Sequence, residues 1–447
     1  MKCVGRVRCL AVVGRYYLFV LGLMVYQIMR ATSGSWPAWR GIDGSGAAAG
    51  GNPPVQWSES KNIRWKITLP GKGHSSPIVW QDSVYLTAAI PYGDPVEPVF
   101  NNAPGAHDNF PVTQNRRFVV LAVNRQDGKE RWQTEVVREF PHEGGHYAGS
   151  LASNSPVTDG ERIYASFGSR GLYALNPAGE VVWKQRLGRM ETKHAHGEGS
   201  SPALSKGVLV HNWDHEKQSF LVAFNANDGE ERWRVQRDEL TSWSSPLIVR
   251  HGAQSQVIVS ATKRVRSYDL HTGRLIWECA GLAHNVVASP VATNGIVIVG
   301  NSYDKQAMMA IRLEGARGDI TGTSEVVWTL NRMTPYVPSP LIYDDTLYFL
   351  RHNQGVLSCL DPLTGKVKRG PFRLGGLREI FASPVGVADR IYVTGRNGAT
   401  LVFSHGENPR ALALNQLNDQ FSASAAIAGD EIYLRGEKNL YCIAAPE

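Results

Sequence analysis

Six short segments of this 447-residue chain gather side chains that could bind or react, and each stands shortly before a Ser-Pro step. They are Gly71–His74, His142–Tyr147, His194–Glu198, Thr241–Trp243, His284–Asn285 and Pro335–Val337. Imidazoles from His74, His146 and His196, with His142 and His194 beside them, have the chemistry of Zn²⁺ or Cu²⁺ ligands. Protonated, the same rings would hold an anion. With an ordinary imidazole pKa of about 6.5, that binding should weaken as pH rises toward 8. Trp243 and Tyr336 could stack on a peptide or a sugar-like ligand, and Asn285 belongs to the same candidate rim. A third reading has these residues satisfying turn carbonyls and binding nothing. The residue types alone leave all three open. His194 and His196 alternate, which would put both on one face of an extended segment.

Other chemistry is less well supported. The run His211-Asn212-Trp213-Asp214-His215-Glu216 reads as a hydrogen-bonded surface loop. Ile90–Arg117, rich in Pro, Asn and Gly and without periodicity, reads as an insertion of the kind that carries partner contacts. There is no Gx₄GK[ST], HExxH, GxSxG or HRD/DFG pair. Gly44–Gly51 follows no strand and opens no helix, so it reads as a linker rather than a phosphate cradle. Cys279, Cys359 and Cys442 are widely spaced and lie in apolar runs, which predicts buried free thiols. No catalytic residue is assigned.

The elements that would position the rim follow from a repeat. Ser-Pro recurs at Ser76, Ser155, Ser201, Ser245, Ser289, Ser339 and Ser383, with later Pro-to-Pro spacings of 46, 44, 44, 50 and 44 residues. The first spacing, 79, contains the insertion, and Ser424-Ala425 is an eighth, degenerate copy. Each step opens a set of short β-branched or aromatic runs, such as Ser83–Ala89, Gln256–Thr262 and Arg390–Arg396. An Asn or Asp then leads through Gly to Trp, as in Asn225…Gly229…Trp233. The Asx-to-Gly stretch is hairpin chemistry, because the Asx side chain caps the turn and Gly takes a positive φ. Four strands in about 44 residues is a propeller blade.

Trp65, Trp132, Trp183, Trp233, Trp277 and Trp328 end outer strands and read as wedges between blades. Asn62–Lys66 matches the last strand of a unit that has no beginning, and Ser422–Ile443 has three strands and lacks the fourth. Joining them predicts an all-β, eight-bladed propeller closed by its two ends, with no exposed sheet edge at the join.

The elements Ser-Ser-Pro, then Asn/Asp after an apolar run, then Thr/Asp-Gly-x-x-x-Trp resemble the PQQ-like β-propeller repeat, over roughly residues 57–445. Eight such blades resemble BamB-like secreted bacterial propellers, which implies a scaffold. Quinoprotein dehydrogenases of this fold use an adjacent cysteine pair, a Ca²⁺ held by Glu and Asn, and an Asp base. This chain has no Cys-Cys, so no PQQ or other cofactor is expected, and a PQQ- or metal-dependent oxidoreductase is the alternative reading.

Composition agrees with this frame. The chain is 43% hydrophobic and 19% charged, which excludes disorder. Lys2, Arg6, Arg8, Arg15 and Arg30 account for most of the net +7, leaving nothing that points to nucleic acid. With the apolar run Tyr16–Met29 they read as a signal peptide over residues 1–33, or as an uncleaved membrane anchor. Residues 34–56 form a Gly/Pro-rich leader and 57–447 the propeller. The expectation is an exported monomer in the periplasm or envelope. It would have no membrane span after cleavage, and its partner would be an envelope protein or a small ligand.

Overall fold

The computed structural model describes residues 34–100 and 103–446. The signal or anchor reading of residues 1–33 lies outside them. Eight blades of four antiparallel strands form the ring, one of them extended by a short fifth strand. Blade 1 contains Ile78–Trp80, Ser83–Tyr92, Asn115–Asn124 and Glu130–Glu139, and the next six follow the same meander order. The eighth takes Ala426–Ala428, Glu431–Arg435 and Asn439–Ile443 from the C-terminal end and Ile63–Thr68 from the N-terminal end. Trp65 stands opposite Cys442 and Ile67 opposite Leu440, so the two ends close the ring as the sequence predicts. Glu431 braces that closure, accepting from Arg125 of blade 1 (2.6 Å) and from Arg64 of the first strand.

The Ser-Pro step proves to be a ring device. The Ser76 N–H donates to Ser155 Oγ (2.8 Å), Ser155 to Ser201 (2.9 Å), and Ser201 to Ser245 (2.9 Å). The series continues through Ser289, Ser339, Ser383 and Ser424, whose N–H returns to Ser76 Oγ at 3.0 Å. Each blade thus gives one donor and one acceptor at the channel wall, and in seven of the eight the residue behind the serine is a proline with no N–H to offer.

The tryptophans join blades at the outer side. Trp183 donates to the Ala226 carbonyl in the next blade's hairpin (2.9 Å) and Trp233 to Leu270 (3.0 Å). Trp65, Trp132 and Trp328 likewise donate to Arg125, Pro177 and Pro362. Each ring lies on the hairpin glycine: a Cβ at Gly229, φ +77°, would stand 2.6 Å from Trp183. Glycine is therefore required twice there, for the turn and for the approach. Trp277 departs from this pattern. It is buried and donates to Gln256 of its own blade, because the following blade lacks the Asx-Gly hairpin. Gly318–Asp319 instead pairs parallel to Leu275–Ala280 at that joint.

Three segments differ from their sequence readings. Gly44–Gly51 is not a free linker. The leader lies in the bore of the ring: Trp36 pairs with Val79, Pro37 accepts from Thr158, and Gly46 and Ala48 bond Gly386. Arg40 crosses to the carbonyls of Pro340 and Pro384. Inner-strand edges in four blades are thereby capped by the leader. The run His211–His215 is buried rather than a surface loop. Asp214 there accepts from Arg237 (2.8 and 3.0 Å) and Ser242 (2.7 Å), a fully enclosed ion pair in blade 3. The insertion is shorter than Ile90–Arg117, since Ser83–Tyr92 and Asn115–Asn124 stay paired over ten residues and carry the loop outward as an arm. Cys279, Cys359 and Cys442 are buried free thiols as expected, and burial pushes the latter two up to about 12. No helix of the described residues is long and apolar enough to cross a membrane.

Candidate ligand cavity at the channel mouth

In every blade the chain passes from a rim segment through the serine ring into the inner strand, and the leader lies against the inner strands of four blades. The rim side therefore holds the open part of the channel. A cavity of about 450 Å³ occupies it, floored by Trp39 of the leader and by ring serines including Ser76, Ser155 and Ser201. That size suits a small ligand or a few residues of peptide.

His74, His146, His196, Trp243 and Tyr336 all line this cavity. Trp243 is fixed by donating to the Gly197 carbonyl (2.7 Å). Tyr336 lies between Tyr303 and His352, with ring centres 5.6 and 4.5 Å away. Asn285 does not line it; it is buried beside the Tyr336 phenol. His74 is set deep, with its Nε2 buried 4.0 Å from Glu437. Burial, reinforced by Lys72, Arg435 and Arg396, holds His74 well below the usual imidazole range. Burial also lowers His146, and brings His196 down to about 4. Burial thus favours the neutral form of all three rings, which works against the charged rim that anion binding would need.

The sequence reading missed the cavity's other wall. His107 comes down from the insertion to sit 4.9 Å, ring centre to ring centre, from both His194 and His196. Asn109–Phe110 pairs with Gly145–His146 and holds that loop on the rim. Neither His107 nor Trp39 belongs to a repeated position, so periodicity could not mark them.

Among the described residues, His142, Glu143 and Glu198 also bring ligand-type atoms within 4.8 Å of one another. Their bonds are already committed. His142 Nε2 donates to the Met190 carbonyl (2.8 Å), and Glu143 accepts from Thr192 (2.7 Å). Glu198 accepts from the Ser169 N–H and hydroxyl (both 2.6 Å) and from Arg170 (3.1 Å). Burial, with Glu198 adding, pushes Glu143 up to about 7. The group works as a brace between rim segments. A quinone cofactor fits the cavity poorly: its lining offers one carboxylate, Asp108, and no cysteine, against the cysteine pair and Ca²⁺ ligands the dehydrogenase resemblance calls for.

The family model described as outer membrane protein assembly factor BamB matches residues 116–280 and 217–445, more than half of the sequence. The chain belongs to this family. BamB of Yersinia pestis is 23% identical over 290 residues, covering 63% of this chain and 58% of that protein's length. Tetrathionate hydrolase of Acidithiobacillus ferrooxidans is 21% identical over 369 residues, 75% of this chain and 66% of that one. Among solved structures, quinohemoprotein alcohol dehydrogenase from Comamonas testosteroni superposes with a TM-score of 0.62 at 9% identity, covering 94% of this chain and 82% of its own. That likeness is one of fold. A chain of the BamB family and an enzyme thus share a fold, and the site decides what each does.

Proposed function

We propose that this chain is an exported, non-catalytic propeller that docks an envelope protein at its rim face and holds a ligand in the channel mouth. The observation that carries this reading is the difference between the two ends of the bore. The leader fills one, while the other opens beneath an arm that presents Val96, Val99 and Phe100 to solvent, with Tyr147 exposed on the rim segment. Exposed apolar groups gathered on one face mark an interaction surface. The name of the BamB relatives suggests a partner in outer-membrane protein assembly, and the basic, apolar residues 1–33 suggest the route there. The test is affinity capture from envelope extract with the full chain and with a Val96→Ser/Val99→Ser/Phe100→Ser variant. Outer-membrane assembly proteins should be retained by the first and lost from the second. Equal recovery, or none with either, rejects the rim as the docking face.

A further inference from the structure

Three imidazoles at the mouth form a triangle. The ring centres of His107, His194 and His196 are 4.9, 4.9 and 5.3 Å apart. Three imidazoles on one tetrahedral ion, with metal–nitrogen bonds of about 2.0–2.1 Å, stand with ring centres about 5 Å apart. Hydrogen bonds decide which nitrogens keep a lone pair. His107 gives its Nδ1 proton to Asp108 (3.1 Å), which leaves Nε2 free. His196 gives its Nε2 proton to the His107 carbonyl (3.1 Å), which leaves Nδ1 free. His194 Nδ1 is buried against the Pro104–Gly105 backbone, which interacts with the ring but makes no well-formed hydrogen bond to Nδ1. A fourth ring, His146, lies 4.9 Å from His196, but its Nδ1 accepts from the Ala148 N–H (3.2 Å), so it remains a wall.

The backbone adds an independent observation. His194 and Ala195 both hold left-handed φ angles, 57° and 52°, unfavourable for residues with a Cβ and typical of functional sites. Asn109 Nδ2 grips the His194 carbonyl (2.8 Å), and the His146 N–H bonds that of His196 (3.1 Å), fixing three chain segments around the rings.

We infer that His107, His194 and His196 bind a divalent ion of the imidazole-seeking class, Cu²⁺, Ni²⁺ or Zn²⁺, at the edge of the cavity that His107 and His196 line, with a fourth position left for a further ligand. Asp108 behind His107 is a positioning residue of the carboxylate–histidine–metal kind. The nitrogens are not yet gathered on one point as those of the His142 group are, so binding turns the rings about their soft terminal torsions. A bound ion would pin the arm to the ring, and its binding is measured without any docking partner.

The test uses the full chain without a polyhistidine tag, stripped with chelator and titrated with Cu²⁺ and Zn²⁺. One equivalent should bind, with a Cu²⁺ paramagnetic spectrum coupled to three nitrogens. Asp108→Asn should weaken binding about 10–100-fold. His107→Ala, at an exposed position, should abolish stoichiometric binding while the melting curve stays unchanged, and His352→Ala should bind as the parent does. The inference is overturned by absence of a stoichiometric ion, by unchanged binding in His107→Ala, or by loss that follows Glu143→Gln instead.

Discussion

At the residue scale, burial rather than residue type decides what the histidines do. His211 shows this most clearly. It is enclosed behind Ser166, whose hydroxyl lies 3.1 Å from its Nε2, and burial brings it down to about 4. Folded protein therefore holds a proton on this ring less readily than unfolded chain does. The resulting stability is complete above about pH 6.5 and is lost as pH falls toward 4, by on the order of 3 kcal/mol. Glu143, raised to about 7, has the opposite sign over about pH 7 to 4.5 and offsets part of that fall. His211→Gln should lower the melting temperature at pH 7 yet flatten its decline between pH 6.5 and 4, measured by thermal unfolding across buffers. An unchanged slope would place the acid sensitivity elsewhere. The histidines of the rim were legible as a group because they recur before Ser-Pro. Their charge state was not, because it depends on depth below a surface that the sequence does not describe.

At the element scale, the hairpin glycine and the outer-strand tryptophan form one joint, and the joint can be tested apart from backbone strain. Gly229 (φ +77°) faces Trp183, while Gly207 in the same blade (φ +70°) has nothing within 4 Å of its would-be Cβ. Gly229→Ala and Gly207→Ala carry a similar left-handed penalty. Gly229→Ala should cost about 1–3 kcal/mol more by denaturant unfolding, the usual range for overpacking. Similar losses would show that the ring adjusts without strain. These joints were readable because they repeat about every 44 residues. The arm and the leader were not, since each contact they make occurs once. The His196–His107 bond spans 89 residues and the Arg40–Pro384 bond 344, and no period connects such pairs. Trp277 marks the same boundary: its residue type follows the repeat, but its partner changed where the next blade lost its hairpin.

At the scale of the whole molecule, eight blades depend on a strand borrowed from the opposite end of the chain. Deleting residues 439–447 removes the partner of Ile63–Thr68 and opens a sheet edge beside the buried Glu431. The expected result is aggregation or loss of a single cooperative melting transition, by light scattering and calorimetry. A soluble truncation that melts like the parent would show the join to be dispensable. The same borrowing sets a timetable. The chain is made from its N-terminal end, so Ile63–Thr68 appears early and must wait for Asn439–Ile443. At about 5–20 residues per second that wait is roughly 20–75 s. The leader waits nearly as long for Gly386 of blade 7. Through that interval a tryptophan-bearing strand has no home and the bore has no plug, so the newborn protein is most exposed to capture just when its pocket does not yet exist. A holding chaperone would find its binding site at the front of the chain, and release would coincide with emergence of the last strand.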